Sequence, residues 1–491
     1  MSLLRSFFVL STLLTVPSLA ADLSRTTIPG KWIEPLLPED APALKHPGYF
    51  GELDKARAEA FGGRYRKALS MLRQIKDADP VEVALVRGPA LAALGRVDEA
   101  VATLSDPDVI DEPRVQIGRA TVLADAGKTS DALALVKTHL VKHPDSIAGR
   151  YCLGALSERT GDLDAARAAY VWFVDEPQRF LDKWQGSREK GFDDAEQVTL
   201  IGRAIDRWAI LTGQYPNNPA LHNTILNLFV RAYDVIDRSY WPAHVAAAEF
   251  YIAHDNAQAA LMELAQAQEA NPRDRRALEL VGLLALDLHK FDAAEQTIAT
   301  LRDVDANSLT ADLLEARSLL LQRRTRAADV VLRRVLAAHP DNIDALTLSA
   351  TLALLRTRDV DAAGIFSRID RLVPDNATPY HDAADVLTSL WQYHRAEDLY
   401  QIATERAPWW NAPRNGLGLL YTQNGEEDQA RAVLDAAHAV DPFNLKTTNY
   451  LRILDRMAQF KRHETEHFVF LYDPIDDPVV PEYFAPYMEE A

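Results

Sequence analysis

From Trp241 to Pro442, small, bulky and helix-breaking positions return every 34 residues. Ala260, Ala294, Ala328, Ala362, Ala396 and Ala430 hold that spacing without a slip. Twelve residues before each stands another small residue: Ala248, Gly282, Ala316, Ala350, Ala384, Gly418. Four residues after each stands a bulky one: Leu264, Ile298, Leu332, Phe366, Tyr400, Leu434. Twelve after, proline closes five units (Pro272, Pro340, Pro374, Pro408, Pro442), and Ala306 takes its place in the remaining one. A fixed period in the thirties predicts a solenoid of helical pairs. Each unit has two antiparallel helices of about 14 residues joined by a turn. Small residues sit where the two axes approach closely. The bulky residue one helical turn on is expected to fill space against the next unit. Proline stops the second helix because it lacks an amide donor and clashes with a continuing backbone.

The same rhythm begins near Glu52, shortened. Gly63, Gly95, Gly127 and Gly161 mark turns, each followed five residues later by Ala68, Ala100, Ala132 and Ala166. Small residues lie seven before each glycine: Ala56, Gly88, Ala120, Gly154. Residues 178–240 break the period. A loop around Gly186 and Gly191 is followed by one apolar helix face (Val198, Ile201, Ile205, Trp208), a turn at 216–219, and a second helix carrying Leu221, Ile225, Leu228, Phe229 and Val235. Beyond Pro442, a helix with Leu451, Leu454 and Met457 on one side caps the array over 443–459.

The small–small–alanine–bulky–proline pattern resembles the tetratricopeptide repeat, in phase through all six central units. The position of the early aromatic of that family holds His244, Leu278, Asp312, Leu346, Tyr380 and Arg414. The fold expected is all-α: a right-handed α-solenoid of about ten hairpins, units 1–4 over 52–177 and units 5–10 over 241–442. The resemblance also implies that the first helices of the units line a concave groove for a protein or peptide partner. Candidate groove residues on those helices are Arg276, Glu279, Arg317, Thr347, His381, Asp385 and Asn415.

The first 20 residues carry one basic residue, Arg5, an apolar run from Phe7 to Val16, and Ser18-Leu19-Ala20. That is the form of a secretory signal peptide, too short and interrupted for a membrane anchor. A Pro-rich linker follows to residue 51, and the expected destination is the bacterial periplasm or the extracellular space. A net charge of −18 opposes binding to phosphate backbones and anionic lipid heads, which leaves protein or peptide as the expected partner. The single cysteine, Cys152, lies on an apolar helix face and excludes an internal disulfide. No cofactor is implied: glycine-rich phosphate loops, a nucleophile elbow and a cysteine metal set are all missing.

One chemically loud motif remains. His463, Glu464 and His467 satisfy H-E-x-x-H, which holds zinc only on a helix, where two imidazoles one turn apart face one metal. Here the next residues, Phe468 to Tyr472, are aromatic and β-branched and predict a strand, so no catalytic or metal residue is assigned. Residues 460–491 read as the start of a second domain. Glu464 to Pro474 resembles the opening strand of a peptidase-MA-like domain, a zinc metallopeptidase family whose own H-E-x-x-H lies further downstream. Two readings follow: an exported, non-enzymatic binding scaffold, or the substrate-presenting arm of a longer exported metallopeptidase.

Overall fold

In the computed structural model, which describes residues 51–174, 194–477 and 479–490, the chain is a succession of antiparallel helical hairpins. The signal segment, nearly all of the linker and the loop around Gly186 and Gly191 lie outside the described residues. Four hairpins come first: α1 (Glu52–Phe61) with α2 (Tyr65–Leu72), α3 (Pro80–Ala93) with α4 (Val97–Thr103), α5 (Pro113–Asp125) with α6 (Thr129–Lys142), and α7 (Ile147–Arg159) with α8 (Leu163–Val171). The irregular pair is α9 (Ala195–Thr212) and α10 (Ala220–Val230), the latter running into a π-helical turn, Arg231–Ile236. Six hairpins follow: α11 (Pro242–Ala253) and α12 (Ala257–Ala270), α13 (Arg275–Asp287) and α14 (Phe291–Val304), α15 (Leu309–Leu321) and α16 (Thr325–Ala338), α17 (Ile343–Leu355) and α18 (Asp359–Leu372), α19 (Thr378–Ser389) and α20 (Tyr393–Arg406), α21 (Ala412–Asn424) and α22 (Glu427–Val440). Helix α23 (Leu445–Met457) closes the array. Among the described residues no strand occurs between Glu52 and Pro442.

Local chemistry sets the helix starts. Asp79, Ser146, Asp162, Asn256, Asp274, Ser308, Asn342 and Asn444 each accept, through the side chain, a backbone N–H of the first turn of the helix they precede. All six periodic alanines are fully or almost fully buried. The bulky residues behave differently from the expectation in part. Leu104, Tyr170 and Leu434 lie against the glycine of their own hairpin, where an added Cβ at Gly88, Gly154 or Gly418 would come within 2.7, 2.4 and 2.5 Å of the side chain. Deleting a methyl group from the first helix makes room for a larger side chain on the second, so part of the coupling lies within each unit.

The turn inside each hairpin is common to both halves. Gly63, Gly95, Gly127, Gly161 and Gly425 have φ of 73–80°, and Asp255, His289, Arg323, Thr357 and Trp391 occupy the same left-handed position with φ of 53–66°. The turn therefore persists where its glycine signature is lost, with a cost for the β-branched and bulky residues.

Successive windings of the solenoid touch. Trp241 Nε1 donates to the Phe61 carbonyl at 2.9 Å, Asn271 Nδ2 to Tyr65 Oη at 3.3 Å, and Arg66 to the Asp303 carbonyl at 3.1 Å. At the other end the Leu445 amide donates to the His254 carbonyl at 3.0 Å, and His254 Nδ1 meets Asp441 Oδ2 at 2.7 Å. These partners stand 180 to 237 residues apart in the chain.

At the C-terminal end β1 (Lys461–Glu464) pairs antiparallel with β2 (Val469–Tyr472), Lys461 opposite Tyr472 and Glu464 opposite Val469, and α24 (Val480–Glu490) follows. The strand expected at 468–472 is present. Its partner β1 is an addition that the sequence hides, because KRHE is charged and solvent-exposed along its whole length.

Candidate functional site

The first helices of the repeats carry charges that meet around the inner face of the winding. Arg203 on α9 reaches Glu249 on α11 at 2.9 Å, and Glu249 also accepts from Arg276 Nε on α13 at 2.8 Å. Arg276 in turn binds Glu279 at 2.9 Å. Arg317 on α15 binds Asp287 of α13 at 3.1 Å. On α19, His381 Nε2 lies 3.5 Å from Asp385 Oδ2, and Tyr400 donates to Asp385 Oδ1 at 2.6 Å. Ion pairs thus link α9 to α11, α11 to α13 and α13 to α15, while His381 and Asp385 pair within α19.

This surface is wet and enclosed at once. The Asp287 side chain keeps 53% of its accessible area, yet the surrounding protein desolvates it and raises its pKa against the attraction of Arg317. Asp344 on α17 is exposed, and its carboxyl is pushed up to about 6 by desolvation, with Asp382 and Glu279 adding repulsion. Asp382 is raised for the same first reason, against the pull of His381 and Arg317. For Asp385, burial is outweighed by His381, Lys446 and the Tyr400 hydroxyl, and its pKa is lowered. Carboxylates that touch water and are still desolvated lie on a concave surface rather than a flat one.

Of the seven groove residues expected, five take part in these ion pairs: Arg276, Glu279, Arg317, His381 and Asp385. Thr347 and Asn415 do not. Thr347 is buried and donates to the Ile343 carbonyl. Asn415 is fully buried, donating to Asp255 at 2.9 Å and Asn444 at 3.1 Å and accepting from Thr447 at 2.6 Å. Both are packing residues: Thr347 bonds within its own helix, and Asn415 bonds to the neighbouring segments at Asp255 and Asn444. Sequence reasoning missed Arg203, Glu249, Asp344, Asp382 and Lys446. Glu249 directly follows the periodic Ala248, as Asp385 follows Ala384, which is the signal that would have found it.

The H-E-x-x-H motif has no helical geometry. His463 and Glu464 lie on β1, paired with Phe470 and Val469, and His467 sits in the connecting turn with Nδ1 2.6 Å from Glu489 Oε2. Adjacent strand residues project to opposite sides, so His463 and Glu464 cannot share a face. Among the described residues no group of three or more His, Cys, Asp or Glu is placed to hold a metal.

The sequence profile of the tetratricopeptide repeat family matches residues 53–106, 117–171 and 313–377. Tetratricopeptide repeats are thus matched in three stretches of the chain. No curated protein matches it in sequence. Among solved structures, yeast Tom70 is similar at 12% identity, covering 90% of this chain and 98% of that one, with a TM-score of 0.38. A tetratricopeptide repeat protein from Parabacteroides merdae is similar at 15% identity, covering 63% and 98%, with a TM-score of 0.30. The hetero-tetramer Cut9–Hcn1 of the APC/C is similar at 11% identity, covering 82% and 96%, also with a TM-score of 0.30.

Proposed function

We propose that the chain is an exported scaffold that receives a peptide or an extended protein segment along its charged inner face, without chemistry of its own. The observation carrying this reading is the ladder from Arg203 through Glu249, Arg276 and Glu279, with Arg317 and Asp287 in the next units. Paired charges held on rigid helices give register and electrostatic selectivity at little ordering cost. Export rests on the leader at residues 1–20 and is checked by the N-terminus of the mature chain. The functional test is photo-crosslinking in a periplasmic extract, with the reactive residue at Glu279 on the inner face or at Met262, exposed on α12. Crosslinks from position 279 alone, lost on Arg317→Glu, support the reading. Equal crosslinks from both positions, or indifference to Arg317→Glu, end it.

A second reading keeps the chain as the presenting arm of a metallopeptidase. It is favoured by β2 at the place the resemblance requires and by the exposed Tyr483 and Tyr487 on α24, a surface suited to further packing. The reading frame after Ala491 tests it: a helix-borne H-E-x-x-H there supports the arm, and a stop codon removes it.

A further inference from the structure

Where the winding rests on itself, a cavity of about 50 Å³ lies between α9 and its following loop, the end of α11, the segment 409–411 and the end of α22. Its polar lining is unsatisfied in a specific way. Asn411 is 5% exposed, and neither Nδ2 nor Oδ1 has a hydrogen-bond partner. His254, 2% exposed, uses Nδ1 on Asp441, while Nε2 has no hydrogen bond and lies 3.9 Å from Asp206 Oδ1. Asp206 is already engaged by the Tyr215 hydroxyl at 2.5 Å, and Arg207 by Glu158. The remaining walls are apolar or aromatic, Trp409 and Trp410 among them. Buried polar atoms left without partners are costly, and two such side chains facing one cavity mark a place built to receive something.

From this arrangement we infer that the cavity is a binding site for a primary carboxamide. The guest's carbonyl accepts from Asn411 Nδ2–H and from the Nε2–H of His254, and its NH₂ donates to Asn411 Oδ1. Charge selects against anionic guests. Arg207 with Glu158 and His254 with Asp441 are matched pairs, and Asp206, 3.9 Å from His254 Nε2, is a further carboxylate, so an added carboxylate meets net negative charge. Protonation of His254 agrees with its surroundings: burial lowers its pKa, but the Asp441 bond and the carboxylates of Asp441, Asp206 and Asp255 outweigh that, while neighbouring His222, driven down to about 4, stays neutral. Size agrees as well, since at about 10–15 Å³ per water-sized occupant the cavity holds about four non-hydrogen atoms, the number in acetamide. The guest is either a free small amide or the end of a glutamine or asparagine side chain from a bound segment. This site stands independently of the inner-face reading.

The test uses the full chain labelled with 5-fluorotryptophan, the Trp409 and Trp410 resonances being assigned by Trp409→Phe and Trp410→Phe. Acetamide, acetate and N-acetyl-glutamine methylamide are titrated in parallel. A saturable shift is expected with acetamide, at an affinity about tenfold or more above acetate, and lost about tenfold in Asn411→Leu. Asn411→Leu should also raise Tm, because it removes an unpaired buried amide and fills the space; if that variant does not fold, Asn411→Ala carries the same binding expectation. A glutamine derivative binding about tenfold more tightly than acetamide assigns the site to a partner's side chain, and equal affinity assigns it to a free amide. Equal responses to acetamide and acetate, full binding by the Asn411 variants, or no saturable shift by about 100 mM acetamide overturns the inference.

Discussion

Asp441→Asn separates the ion pair at the winding contact from everything else that residue does. Asparagine keeps the oxygen that accepts the Phe443 amide at 2.9 Å, so the turn after α22 survives, while the imidazolium of His254 loses its counter-charge. A hydrogen bond to a charged group contributes about 1.5–3 kcal/mol, and a loss of about 2 kcal/mol is the expectation for so enclosed a pair. The loss should be local, because stability in a repeat array is a sum over neighbouring units and this contact adds a link between two distant ones. The readout is amide hydrogen exchange at Leu445, whose N–H donates to the His254 carbonyl, with α11 and α23 around it. About 2 kcal/mol corresponds to exchange about 30-fold faster. The effect must also depend on pH. His254 has a folded pKa raised above its unfolded value of about 6.5, so its contribution is fully present below that value and fades as pH rises through the folded pKa. Asp441→Asn should therefore cost most near pH 6 and least under alkaline conditions. Unchanged protection at Leu445, or a penalty that grows with pH, would refute the lock.

Other consequences are as direct. Gly95→Ala places a methyl at φ +73° within 2.5 Å of the Asp305 carboxyl group of the next winding, whereas at Gly213 (φ +64°) nothing lies within 4 Å. Gly95→Ala should cost clearly more than the roughly 1–2 kcal/mol of the left-handed backbone alone, and Gly213→Ala about that amount, by thermal melts of the two variants. Thr357→Gly relieves a β-branched residue at φ +57° and should stabilise by up to about 1 kcal/mol, read as a rise in Tm; a fall would mean that Thr357 is held by more than the turn. The Cys152 thiol, pushed up to about 11 by burial, should react slowly with a thiol reagent at pH 8 and accelerate on denaturation.

The 34-residue spacing was enough to place every hairpin of the central array. A small side chain where two axes meet and a proline after the second helix are local requirements, repeated because each unit solves the same packing problem. Residues 195–230 were legible for the same reason: apolar faces at helical spacing need no knowledge of their neighbours. Two features of the fold were not legible. The left-handed turn at Asp255, His289, Arg323, Thr357 and Trp391 carries no glycine, and only the closed hairpin on either side holds those residues there. Strand β1 exists because β2 offers it hydrogen bonds, since nothing in Lys-Arg-His-Glu favours an extended chain. The candidate site divided along the same line. Periodicity placed Arg276, Arg317 and Asp385 on first helices, but it could not tell that Asn415 would be sealed against Asp255 and Asn444, or that Asn411 would face His254 across a cavity. A repeat pattern fixes each unit and its contact with the next. The meeting of His254 with Asp441, 187 residues on, depends on small rotations summed over all the intervening hairpins, and only the folded winding decides that sum.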